Sequence, residues 1–165
     1  LMELAKVAVG RTGRPSFLAL AKAHFFKTIR AEKGLRVRRV PGDGNCLYHA
    51  LHAALSALTD SPGHLRLRAD ICAYMDGNWR LYADFITPDD TTDREAGVQA
   101  YTAGMRRDAA WGDEVEIQAA ADMLRQTIEV YSYATECYQS YGCQYTPHNP
   151  IHLSYTGENH YDALL

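Results

Sequence analysis

Cysteine is scarce in this chain, lysine is scarce for its charge, and long apolar runs are missing. Four cysteines, at positions 46, 72, 137 and 143, are too few for a disulfide framework. None forms a C-x-x-C pair or a Cys/His cluster of zinc type, so a zinc site of that kind is not expected. Free thiols in a reducing cytoplasm fit this usage best. Lys22, His24 and Lys27 break the most apolar early segment, and no stretch approaches the ~18–20 residues of a membrane-spanning helix. A secretory leader is not seen either. Charge of one sign is also lacking: 17 basic against 20 acidic residues give −3, no field with which to hold a polyanion, so nucleic acid is excluded as a partner. Repeats with a period of 20 to 50 residues are absent, which removes solenoids and propellers.

What is present is ordinary globular usage, 47% hydrophobic and 22% charged over 165 residues. One domain spanning 1–165, acting as a monomer, is the expectation, with residues 1–34 as a helical extension packed on the core. The bases comprise 13 arginines and 4 lysines. With the abundant alanine, this suits a GC-rich bacterial or viral source, for which the host cytosol would be the place of action of a secreted effector.

Apolar spacing predicts helices over Phe17–Lys33, Cys46–Leu58, His64–Met75, Trp79–Phe85, Arg94–Arg107 and Glu114–Arg125. Alternation over Leu35–Val40 predicts a short strand ending at Pro41-Gly42. Thr127–Tyr133, Ile151–Tyr155 and Tyr161–Leu165 are β-branched or aromatic and bounded by breakers, hence strands. Helices first and strands last give an α+β (mixed α/β) fold, a small sheet covered by helices.

The segment Gly42-Asp43-Gly44-Asn45-Cys46-Leu47-Tyr48-His49 delivers a cysteine from a glycine loop onto a helix start. There the unpaired N–H groups and the positive dipole end favour a thiolate and can hold a developing oxyanion, through the N–H groups of residues 43 to 46. Cys46 equally fits the small core position that is the common fate of a free cysteine. A thiolate nucleophile needs a base, and seven histidines compete. His49 shares the cysteine's own helix and is assigned to packing or solvent. His24, His52, His64, His148 and His152 have no acid or amide placed to orient them. His160 opens His160-Tyr161-Asp162, where alternation sets Asp162 on the same face to fix the imidazole, although an edge-strand His-x-Asp pair has the same spacing.

Three ordered blocks carry a resemblance: Asp43-Gly44-Asn45-Cys46-Leu47-Tyr48, the stretch Trp111-Gly112-Asp113-Glu114-Val115-Glu116-Ile117-Gln118-Ala119, and Asn159-His160-Tyr161-Asp162. Together they resemble the ovarian-tumour (OTU) family of cysteine proteases, most of which are deubiquitinating enzymes, over roughly residues 35 to 165. The resemblance implies a papain-like OTU fold, with Cys46 as nucleophile, His160 as general base and then acid, Asp162 as the orienting third residue and Asp43 as the loop aspartate of the active centre. It implies a thiol-dependent hydrolase cutting isopeptide bonds after the C-terminal glycine of ubiquitin, polyubiquitin or another ubiquitin-like modifier, with neither a metal nor an organic cofactor required. A catalytically silent ubiquitin-binding module is the alternative. Many relatives carry Arg three residues after the cysteine where this chain has His49. Asp113, Glu114 and Glu116 are candidates to line an acidic groove for a basic modifier tail, or to cap their helix.

Overall fold

A computed structural model of the chain describes residues 17–57, 63–132, 137–145, 149–156 and 159–165. Residues 1–16 of the expected N-terminal extension, Leu58 and His148 lie outside these. The elements run α1 (Phe17–Lys33), β1 (Val37–Arg38), α2 (Cys46–Ser56), α3 (His64–Gly77), a 3₁₀ turn (Trp79–Leu81), α4 (Ala83–Ile86), α5 (Arg94–Met105) and α6 (Glu114–Leu124). They end in β2 (Ile128–Ser132), β3 (Cys137–Tyr141), β4 (Ile151–Tyr155) and β5 (Tyr161–Leu164). The strands form one mixed sheet in the order β1-β5-β4-β2-β3. β2 and β4 are parallel and the other pairs antiparallel. This is the mixed α/β architecture that the order of helices and strands predicts.

α2 is the centre of the core. Its sequence is alanine- and leucine-rich with no breaker, and Leu47, Tyr48, Ala50, Leu51, Ala53, Ala54 and Leu55 are all buried. A helix apolar nearly all round is an interior helix, and here it packs on β4 and β5 and on α3. Ile128, Val130, Leu153, Tyr161 and Ala163 join the cluster from the sheet, and Ile71 and Met75 from α3. Period-two alternation sends Tyr131 and Leu164 into a second cluster, where Ile29 and Phe25 of α1 cover them. The sheet is thus clad by α2 on one face and α1 on the other. No helix of the described residues is long and apolar enough to cross a membrane.

Three elements differ from the sequence expectation. The strand over Leu35–Val40 shortens to Val37–Arg38, because the Val40 N–H leaves the ladder and donates to a side chain, the Asp162 carboxylate, at 2.9 Å. Trp79–Phe85 splits into a 3₁₀ turn and the one-turn α4. β3 was unexpected: Cys137-Tyr138-Gln139-Ser140-Tyr141 has no β-branched residue, and as an edge strand it leaves Tyr138 exposed.

Candidate active site

The loop before α2 is fixed by its own side chains. Asp43 Oδ1 accepts the Asn45 N–H at 2.9 Å, a local turn that Asp before Gly favours. Asp43 Oδ2 lies 3.0 Å from His49 Nε2, one turn into α2. His49 and the Asn45 N–H hold the Asp43 carboxyl down to about 2. The His49 ring in turn stacks on His64 at 3.8 Å between centroids. His49 therefore supports the loop aspartate, a correction to its assignment to packing or solvent. It also fills the position where the resemblance led one to expect Arg. Gly44 sits at φ +86°, and a side-chain carbon there would lie 2.4 Å from the Ala109 carbonyl oxygen, so the loop closes on the 108–110 turn only with glycine.

Cys46 is the first residue of α2, a half-buried free thiol. Its Sγ lies 4.0 Å from the Asn159 carbonyl oxygen, on the loop that enters β5. Asn159 has φ 59°, and its side chain accepts a hydrogen bond from the Tyr155 hydroxyl at 3.1 Å. The next residue, His160, places Nε2 3.2 Å from Asp162 Oδ1. Asp162 is buried, and the same oxygen takes the Val40 N–H. The opposite edge of the ring borders the cysteine loop: a side-chain carbon on Gly42 would lie 3.7 Å from His160 Nδ1. The structure thus gathers Asp43, Cys46, His160 and Asp162 at one place. The sheet orients one imidazole nitrogen and turns the other towards the loop that carries the thiol.

The N–H groups of residues 43 to 46 are not equivalent. That of Asn45 is taken by Asp43, while those of Asp43, Gly44 and Cys46 make no hydrogen bond to another residue among the described residues. An anion forming at the thiol can meet the Gly44 and Cys46 N–H groups on either side of Asn45, but not that of Asn45 itself.

The acids of the Trp-Gly block divide. Glu116 is fully buried, accepting the Asp113 N–H at 2.8 Å and the Tyr101 hydroxyl at 2.7 Å, so it is a capping-box residue and no groove lining. Burial raises its carboxyl above the usual range. Asp113 and Glu114 do line a cavity of about 400 Å³, with Tyr138, Tyr141, Tyr155 and Tyr161 around them. The Tyr161 hydroxyl donates to Asp113 at 3.3 Å. Gly112 lets this block approach α2, since a side-chain carbon there would lie 2.7 Å from Leu47 Cδ2. His152 also departs from expectation, with Nδ1 3.3 Å from Glu129 Oε2.

Sequence reasoning missed two contributors. Val40 was read only as a strand residue. Arg68, 1% exposed, donates to the Asn45 side-chain oxygen at 2.7 Å and to the Met105 carbonyl at 2.7 Å. A signal for Arg68 was present: it shares a helical face with Ile71, Cys72 and Met75, all buried.

The comparisons with known proteins agree with this geometry. A family model described as OTU-like cysteine protease matches residues 41–162. The chain is 36% identical over 148 residues to the OVARIAN TUMOR DOMAIN-containing deubiquitinating enzyme 6 of Arabidopsis thaliana, covering 88% of this chain and 27% of the relative. It spans about a quarter of the length of the curated relatives it matches. Its fold matches the OTU domain of OTUD1 with TM-score 0.70 at 22% identity, over 90% of this chain and 97% of the other. It also matches the Hazara virus OTU bound to ubiquitin, with TM-score 0.59 at 21% identity over 79% and 80%. From the thiol-bearing loop to His160 and Asp162 at the entry of the last strand, this chain belongs to the family of OTU-like cysteine proteases.

Proposed function

We propose that this chain is a cysteine-dependent deubiquitinase, hydrolysing isopeptide bonds after the C-terminal glycine of ubiquitin or a ubiquitin-like modifier. The observation that carries the reading is the meeting of two distant segments. The Cys46 thiol at the start of α2 lies against the Asn159 carbonyl, one residue before an imidazole already held by a buried carboxylate. Membership of the family supports it, as does the name of the Arabidopsis relative, a deubiquitinating enzyme.

In the proposed reaction the Cys46 thiolate attacks the carbonyl carbon, forming an S–C bond and an oxyanion that faces the Gly44 and Cys46 N–H groups. Collapse breaks the C–N bond, and His160 gives its proton to the departing lysine amine. Water then loses a proton to His160 and attacks the thioester, releasing the Cys46 sulfur and a free carboxylate. Asp162, fixed by Val40, keeps the ring's Nε2 engaged so that Nδ1 is the nitrogen that exchanges protons. Asp43 shapes the loop and takes no part in proton transfer. The groove holding Asp113 and Glu114 suits a basic stretch of the modifier's tail.

The test is turnover of ubiquitin bearing a C-terminal fluorogenic amide, and of di-ubiquitin, by the wild-type chain and by Cys46→Ala. The wild type is expected to cleave, and Cys46→Ala to lose cleavage while keeping its far-UV circular dichroism. Undiminished cleavage by Cys46→Ala would overturn the reading.

A further inference from the structure

Arg68, at 1% exposure, is a buried cation with no carboxylate in contact among the described residues. Its charge is met instead by dipoles: the Met105 carbonyl and the Asn45 side-chain oxygen at 2.7 Å each, and the Gly44 carbonyl at a long 3.4 Å. The guanidinium carbon also stands 3.9 Å from the Tyr48 ring centroid. Its Nε has no partner among the described residues. Burying a guanidinium this way is costly compared with an apolar residue of the same shape, so the contacts it makes call for an explanation beyond core stability.

Those contacts converge on the two residues before the thiol. The peptide joining Gly44 to Asn45 is held at both ends, its carbonyl by Arg68 and its N–H by Asp43. The Asn45 side chain is held on every side, accepting from Arg68 and, at 3.2 Å, from the Ala109 N–H, and donating to Asp108 at 3.0 Å. The Asn45 carbonyl accepts the first backbone bond of α2, from His49 N at 2.9 Å. With that peptide plane pinned, the flanking Gly44 and Cys46 N–H groups are left in fixed directions without partners.

We propose that Arg68 is a positioning residue: through the Asn45 side chain and the Gly44 carbonyl, it holds the loop so that the Gly44 and Cys46 N–H groups point at the developing oxyanion. The inference rests on the reaction assigned above. Arg68 touches neither substrate nor thiol. Its contribution is to geometry, and a misplacement of about 1 Å at such a site costs on the order of 10²-fold in rate.

The experiment compares wild type, Arg68→Lys, Asn45→Ala and the double variant on ubiquitin carrying a C-terminal fluorogenic amide. It adds circular dichroism and iodoacetamide alkylation of Cys46 resolved by peptide mass spectrometry. Each single variant is expected to lose about 10²-fold in kcat with KM within about threefold. The double variant should lose about as much as the more impaired single variant, because one residue acts through the other. Cys46 alkylation, which needs no oxyanion site, should stay within about threefold of wild type. Should Arg68→Lys fail to fold, Asn45→Ala decides, since it leaves Arg68 its contacts with Met105 and Tyr48. Wild-type kcat in either folded variant, losses that multiply in the double variant, or an equal fall in alkylation would overturn the inference. A wild type without turnover overturns the assigned reaction and this inference together, whereas an active wild type with an unaffected Arg68→Lys overturns the inference alone.

Discussion

The Val40 N–H donates to Asp162 Oδ1 across 2.9 Å, joining residues 122 positions apart in the chain. The same oxygen lies 3.2 Å from His160 Nε2. A backbone donor on a buried carboxylate holds it in place, and the carboxylate in turn selects which imidazole nitrogen is free. His160→Ala is therefore expected to lower kcat by about 10³-fold, within the range that proton transfer by a placed base supplies, and Asp162→Asn by about 10²-fold. Initial rates on the fluorogenic ubiquitin amide check both; wild-type turnover by Asp162→Asn would contradict the assigned orientation.

The loop aspartate and its histidine are separable. Removing His49 leaves the bond from the Asn45 N–H to Asp43, whereas removing Asp43 frees that N–H and lets the turn relax. His49→Ala should keep at least about a tenth of wild-type kcat, and Asp43→Ala should fall roughly tenfold further, by the general sensitivity of rate to placement. Equal losses in the two, measured side by side, would mean that His49 is the essential partner.

Acid should weaken the fold through His152. Burial lowers its basicity below the ordinary 6.5, Glu129 acts to raise it, and Lys33 adds to the lowering. The unfolded chain then binds a proton more readily than the folded one, so stability falls as the pH drops below about 6.5 and is retained above it. His64 is shifted the same way, by burial first and then by His49. The melting temperature is expected to fall from about pH 7.5 to about pH 5.5, and His152→Gln should reduce that fall. An identical slope in the variant would remove His152 from the account.

Much of this was legible in the residues, for reasons that can be named. A glycine loop followed by unbroken alanine and leucine can only open an interior helix, so Cys46 could be placed at its first turn. Alternation put His160 and Asp162 on one face because both belong to one strand entry. Contacts that depend on the fold were beyond reach. Nothing local at Val40 marks it as the donor to Asp162, and shortening of the strand at Arg38 follows from that tertiary bond. β3 was missed because its tyrosines and cysteine carry no pattern stronger than that of a loop, and its pairing with β2 decides the matter. Sharing a helix with Cys46 says nothing of the partner His49 finds in Asp43, six positions back in the loop. Arg68 shows the converse case, a charge on a face otherwise apolar, where periodicity marks a buried cation and leaves its acceptors unnamed.

The central claim is that Cys46, and no other thiol, is the nucleophile towards ubiquitin. Cys72 is fully buried and its thiol is pushed up to about 11 by burial, while the exposed Cys143 gives its S–H to the Ser140 carbonyl oxygen at 3.5 Å. Ubiquitin carrying a C-terminal electrophile, incubated with the native chain and mapped by peptide mass spectrometry, tests this directly. The account predicts one adduct, on Cys46, that is lost in His160→Ala; an adduct on Cys72, Cys137 or Cys143, or none with the wild type, would contradict it.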